Sequence, residues 1–230
     1  MEKQFLTIDR NKCNDLATTL FLESAGINRE GEKFERMRED AFHMRERIES
    51  RIIPRAVYLY FNRDEITLHH EKLSAGGQEF CCKAFDQLQT GSIDGLYLYA
   101  CTAGDYSLPG EEVLNQVYAD IWGTAFADAV RMLLKEELQT KSDLSDSFGP
   151  GFYGMSTREV TKIDSLLDFA LLGIKLRNNT VMLPLKSCAG MYFAVNAHYK
   201  PLHGRCEFCY GAQSSCKLCH VLIANDVEIR

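Results

Sequence analysis

The sequence predicts an α+β fold: long helices packed on a twisted, mainly antiparallel sheet, with a small cysteine-rich metal knuckle at the C-terminal end. Three patterns predict it. Apolar residues recur at helical spacing over 34–48, runs rich in aromatic and β-branched residues stand at 56–61 and 95–101, and four cysteines form two CxxC pairs between 206 and 219. The strands are too irregularly spaced, and too often followed by turns, for a doubly wound parallel sheet. The 230 residues suit one large domain or two small ones. A hydrophobic share of 46% and a charged share of 25% are those of a globular chain. With 26 Lys and Arg against 32 Asp and Glu the net charge is −6, and no basic stripe is present to neutralise phosphates, so nucleic acid is not an expected partner. Apolar stretches such as 166–174 stop well short of the roughly 20 residues a membrane-spanning helix needs. The start, MEKQFLTIDRNK, carries early charges and no apolar core of a secretory signal. A cytoplasmic protein is expected.

The first 50 residues are mainly helical in pattern. Phe34, Met37, Ala41, Met44 and Ile48 share one helix face, while Glu32, Glu35, Arg36, Arg38, Glu39, Arg45, Glu46 and Arg47 make a solvated one. Pro54 closes this segment, because its ring disfavours helical geometry in the residue before it. Ala56–Phe61 then reads as a strand, and Asn62–Glu65 as a turn into Ile66–His69, which predicts a hairpin. In Gly95–Cys101 both alternating faces are apolar or aromatic, so that strand is expected to be covered on both sides. From Glu111 to about Leu138 the pattern is helical again, with Val113, Val117, Ile121, Ala125, Val130 and Leu133 as the expected buried stripe. Leu144–Phe152 breaks it with serine, glycine and proline. Ser156 and Glu159 have capping-box spacing, and the following helix is expected to bury Val160, Ile163, Leu166, Leu167, Ala170 and Leu171. Strand-like segments follow at 180–184 and 190–195. Composition shifts near His198, which divides the chain into a domain over 1–197 and a cysteine-rich tail over 198–230.

In that tail Cys206 and Cys209, six residues, then Cys216 and Cys219 supply four thiolates. A two-residue spacer lets both thiolates of a pair face one metal, and four complete a tetrahedral zinc site. An iron–sulfur cluster draws on the same ligand set, so zinc and iron–sulfur both stand. His203 and His220 flank the cysteines as outer neighbours. The other cysteines, Cys13, Cys81, Cys82, Cys101 and Cys188, have apolar neighbours and are expected to pack in the core.

Ser147-Phe-Gly-Pro-Gly-Phe152 precedes the capped helix. Its glycines let backbone approach a ligand closely, and the helix start offers amides to a carboxylate or phosphate. Together with the Leu166-Leu167 helix and Val181–Phe193, it resembles the activation (reactivation) domain of cobalamin-dependent methionine synthase. That family has an RxxxGY loop, then a helix, then P-x-x-S-x-x-G-x-Y-F. Pro184, Ser187, Gly190, Tyr192 and Phe193 fit this last pattern without a gap. Gly95–Gly104 is similar to the family's strand ending in a Thr-x-Gly turn, and Ala119–Ala127 to its long central helix. The likeness spans about residues 50–197.

The resemblance implies binding of S-adenosylmethionine at Ser147, Gly149, Gly151, Phe152, Lys186 and Ser187, with no catalytic acid or base. It implies a methyl presented to a cobalamin carried by a partner, a corrinoid protein or cobalamin-dependent methyltransferase, with an electron donor such as flavodoxin. Ser147 stands where the family has arginine and Phe152 where it has tyrosine, so a bidentate, charge-assisted carboxylate contact is lost there. Lys186 is the candidate replacement cation. The alternative is a non-enzymatic binding protein on the same fold that has lost the S-adenosylmethionine site and docks through its metal knuckle.

Overall fold

The run Ile93–Thr102 is apolar or aromatic at nearly every position, and it forms the central strand of the molecule. The structure, a computed structural model, describes residues 2–106, 108, 110, 112–202 and 208. In chain order the elements are β1 (Gln4–Leu6), α1 (Arg10–Ser24), α2 (Glu32–Ile48), β2 (Arg55–Asn62), β3 (Ile66–His69), β4 (Lys72–Ala75), β5 (Gln78–Cys81), β6 (Ile93–Thr102), α3 (Val113–Gln139), β7 (Asp143–Leu144), α4 (Val160–Leu167), β8 (Lys175–Arg177), β9 (Val181–Leu183) and β10 (Ser187–Val195). The main sheet has the order β1-β2-β6-β10-β7, and all its pairs are antiparallel. This is the α+β architecture expected from the sequence.

The period-two alternation of β6 divides the interior. Leu96, Leu98 and Ala100 face one core with α4, the β3-β4-β5 meander, Phe148 and Phe193. Tyr97, Tyr99 and Cys101 face a second core under α1, α2 and α3. The strand is covered on both sides, which explains its unbroken apolar run. Trp122 centres the second core. Fully buried, it stacks on Phe21 of α1 at a centroid distance of 3.9 Å and donates Nε1–H to the Ala41 carbonyl of α2 at 2.9 Å. One indole thus joins three helices and leaves its polar atom satisfied. The α2 stripe is as expected, with Ala41, Met44 and Ile48 buried and Phe34 and Met37 packed at its margin.

Several expectations are corrected. The α3 stripe holds at Ala125, Val130 and Leu133 but fails earlier: Val113 and Val117 are exposed, at 78% and 46%. Tyr118, Trp122, Phe126 and Ala129 take the buried face, because the bulky rings fill the space where α3 meets α1 and α2 better than the smaller stripe. The predicted hairpin between 56–61 and 66–69 does not form. Asn62 and Glu65 close a reciprocal capping box on a 3-10 turn that redirects the chain, and β3 pairs with β4 in a separate sheet while β2 pairs with β1 and β6. Helix α4 stops at Leu167, where Asp168 takes φ 59°. That break shifts the phase: Phe169 and Leu172 are buried in place of Ala170 and Leu171. Ser156 caps as expected by accepting from the Arg158 amide. The Glu159 carboxylate instead turns inward to the Cys81 amide and Lys162, so the box is half-made. Cys81 is exposed, outward on β5 between inward Phe80 and Cys82.

Candidate functional site

Of the site residues expected from the sequence, Ser187 opens β10, and Ser147 and Gly149 lie on the chain beside it. Chain from Ser145 to Gly149 runs beside its outer edge. The Ser145 amide donates to Phe193 O, and Phe148 and Met191 exchange both backbone hydrogen bonds at 2.9 and 2.7 Å. The Phe148 ring is buried against Phe85, Tyr153 and Phe193, which anchors this edge. Gly190 permits the approach: a Cβ there would lie 2.5 Å from Phe148 O and 3.0 Å from the Tyr99 hydroxyl. Beyond Gly149 the loop turns away. The Phe152 amide donates to Gly149 O, Gly151 takes φ 92° and donates to Met155 O, and the Phe152 ring is 68% exposed.

Cys188 and Tyr192 point from β10 toward the core under α3. On the loop side the Ser147 Oγ and Tyr99 hydroxyl are 2.8 Å apart. At the start of β10 the Ser187 hydroxyl donates to Thr102 Oγ1 at 2.8 Å. Lys186 is committed elsewhere, with its Nζ 2.7 Å from Asp120 and 2.9 Å from Thr124 Oγ1. On the helix side Arg131 sits half-buried, with a long 3.3 Å ion-pair contact to Asp128. Burial works against its charge, but Tyr192, Tyr99 and Asp128 outweigh that and hold it protonated. The Tyr192 hydroxyl is buried beside the Arg131 guanidinium. Burial, followed by the neighbouring Cys188 and Tyr192, raises the Tyr99 hydroxyl well above the usual phenol range. Cys188 lies directly across from Cys101 on β6, with the two Sγ atoms 3.1 Å apart.

The structure therefore brings Ser147, Gly149 and Ser187 to one strand. Gly151 lies in the turn, Phe152 projects into solvent, and Lys186 is tied to α3. Sequence reasoning did not single out Arg131, Asp128 and Tyr99, which the structure places beside Ser147 and Cys188. The available signal was Arg131 itself, the sole basic residue in 113–134 and flanked by apolar neighbours. An apolar groove of about 1010 Å³ adjoins the site at Lys186, lined also by Tyr106, Val117, Ile121, Pro184 and Leu185.

The segment after β10 returns to the loop. The Asp146 carboxylate accepts from the Leu202 amide at 3.2 Å and the Tyr199 hydroxyl at 3.4 Å, and Tyr199, Leu202 and Phe208 pack on the first core. Cys206, Cys209, Cys216 and Cys219, with His203 and His220, lie outside the described residues. Among the described residues no cluster of His, Cys, Asp or Glu is arranged to hold a metal, and no helix is long and apolar enough to cross a membrane.

No protein-family profile and no curated protein sequence matches the chain. Among solved structures it is similar to a crystal structure of the MetH reactivation domain bound to AdoHcy. The TM-score is 0.56 and the identity 18%, over 87% of this chain and 81% of that one. The two share a fold.

Proposed function

We propose that the region between α3 and the loop at 147–152 binds S-adenosylmethionine, and that the chain supports reductive methylation of a cobalamin carried by a partner corrinoid protein or methyltransferase. The observation that carries this reading is a half-buried arginine beside the buried hydroxyls of Tyr99 and Tyr192, on a fold shared with a domain crystallised with AdoHcy. Arg131 would hold the ligand carboxylate in a charge-assisted pair. That is the part the sequence suggested for Lys186, whose ammonium is instead engaged by Asp120. Ser147 orients Tyr99, Gly149 and Gly151 carry the backbone path, and the exposed Phe152 ring offers a face for the adenine. Ser187 fixes the start of β10 through Thr102. The ligand brings a methyl already activated by its sulfonium, so the protein's contribution is positioning, and no general base is called for.

The apolar groove beside Lys186 suits the partner's corrin, and flavodoxin or a similar donor would supply the electron in the cytoplasm. In this reading 1–197 is the ligand-binding domain and 198–230 a tail. Cys206, Cys209, Cys216 and Cys219 of that tail hold zinc as a docking platform or an iron–sulfur cluster as an electron relay. A second reading, a binding protein without the ligand site, is favoured by the commitment of Lys186 to Asp120 and of Ser147 to Tyr99. Calorimetric titration of anaerobic, metal-replete protein with S-adenosylmethionine and S-adenosylhomocysteine separates the two. We expect micromolar binding of both; no heat up to millimolar ligand would leave the second reading.

A further inference from the structure

Two cysteines on neighbouring strands form a chemical unit that positioning of a methyl donor does not use. Cys101 and Cys188 are directly paired across β6 and β10. Opposed residues of an antiparallel ladder have Cα atoms about 4.5–5.5 Å apart, which lies inside the range a disulfide spans. The Sγ atoms are already 3.1 Å apart, so closing the bond needs little backbone movement. Access is asymmetric, because Cys101 is buried and Cys188 half-buried.

We propose that Cys101 and Cys188 are a redox-active dithiol that closes to an intramolecular disulfide by exchange with a low-molecular-weight disulfide such as oxidised glutathione. Cys188 is the attacking thiol. The two thiols share a hydrogen bond, and this contact followed by the nearby Arg131 cation brings the Cys188 pKa below the ordinary thiol value. Burial and Asp128 oppose that shift without reversing it. Cys101 is pushed the other way, first by the same hydrogen bond and then by burial. In the first step the Cys188 thiolate attacks one sulfur of oxidised glutathione, forming a mixed disulfide and releasing one glutathione thiolate. In the second, Cys101 gives up its proton and attacks the Cys188 sulfur, releasing the second glutathione thiolate. The two cysteines lose two electrons, the glutathione disulfide gains them, and the protons pass to solvent and the released thiolates. A partly exposed disulfide of this kind belongs with the labile, reversible ones and not with buried structural bonds. The inference stands apart from the ligand reading, since it needs no bound nucleoside.

The test holds the folded wild-type chain in glutathione buffers of graded thiol-to-disulfide ratio, quenches in acid, alkylates free thiols and maps the peptides by mass spectrometry. The expected result is a peptide linking Cys101 to Cys188, reversed by dithiothreitol, at ratios where Cys13 and Cys82 remain alkylatable. In Cys101→Ser, Cys188 should stop as the glutathione mixed disulfide. In Cys188→Ser, Cys101 should stay reduced. The proposal is overturned if wild-type Cys188 stays alkylatable throughout, stops as the mixed disulfide, or links to another cysteine. The wild-type map needs no variant to fold.

Discussion

Gly190 sets how closely the loop edge can lie on β10. An added methyl would meet Phe148 O at 2.5 Å, and that oxygen accepts the Met191 amide, so it cannot retreat without breaking a hydrogen bond. Overpacking of this kind costs about 1–3 kcal/mol. Gly190→Ala should lose about that much in urea unfolding and displace Ser147 from Tyr99, and an unchanged midpoint would refute the close approach. The buried thiols give a pH dependence. Burial raises Cys13 to about 11 and Cys82 to about 12, whereas an unfolded cysteine releases its proton near about 8.5. Above that value the unfolded chain holds fewer protons than the folded one, so stability falls as pH rises until the folded thiols ionise. The slope is about 1.4 kcal/mol per pH unit for each thiol. Urea midpoints measured from about pH 8 to about pH 11 should decline, and less steeply in Cys82→Ala.

At the level of elements, the sequence was legible wherever one periodicity ruled a segment. The stripe of α2, the aromatic run of β2 and the doubly covered β6 are of this kind. Helix α3 is not. It carries apolar residues on several sides, and which side is buried is decided by the rings of Trp122 and Phe126 meeting α1 and α2, a tertiary fact no local spacing contains. The phase can be checked directly. Val113→Asp should shift stability by no more than about 0.5 kcal/mol, whereas Trp122→Ala should cost about 3–5 kcal/mol. Comparable losses for the two would restore the stripe expected from spacing. Helix α4 was misread for a different reason: a single left-handed residue, Asp168, resets the register of all that follows.

Across the whole molecule, the candidate site is an assembly of distant segments. Ser147, Gly149 and Ser187 were visible because they sit in sequence patterns close to β10. Tyr99 arrives through the register of β6 against β10, and Arg131 through the packing of α3 on that sheet. Strand register is fixed by long-range pairing, which is why a cation proposed in place of Lys186 comes from another element. The most direct test of this account compares the dissociation constant for S-adenosylhomocysteine in Arg131→Gln and Lys186→Gln with wild type. Loss of one charge-assisted contact should weaken binding about ten- to a hundredfold in Arg131→Gln, with Lys186→Gln within about twofold of wild type. The reverse order, or equal affinity in all three proteins, would contradict it.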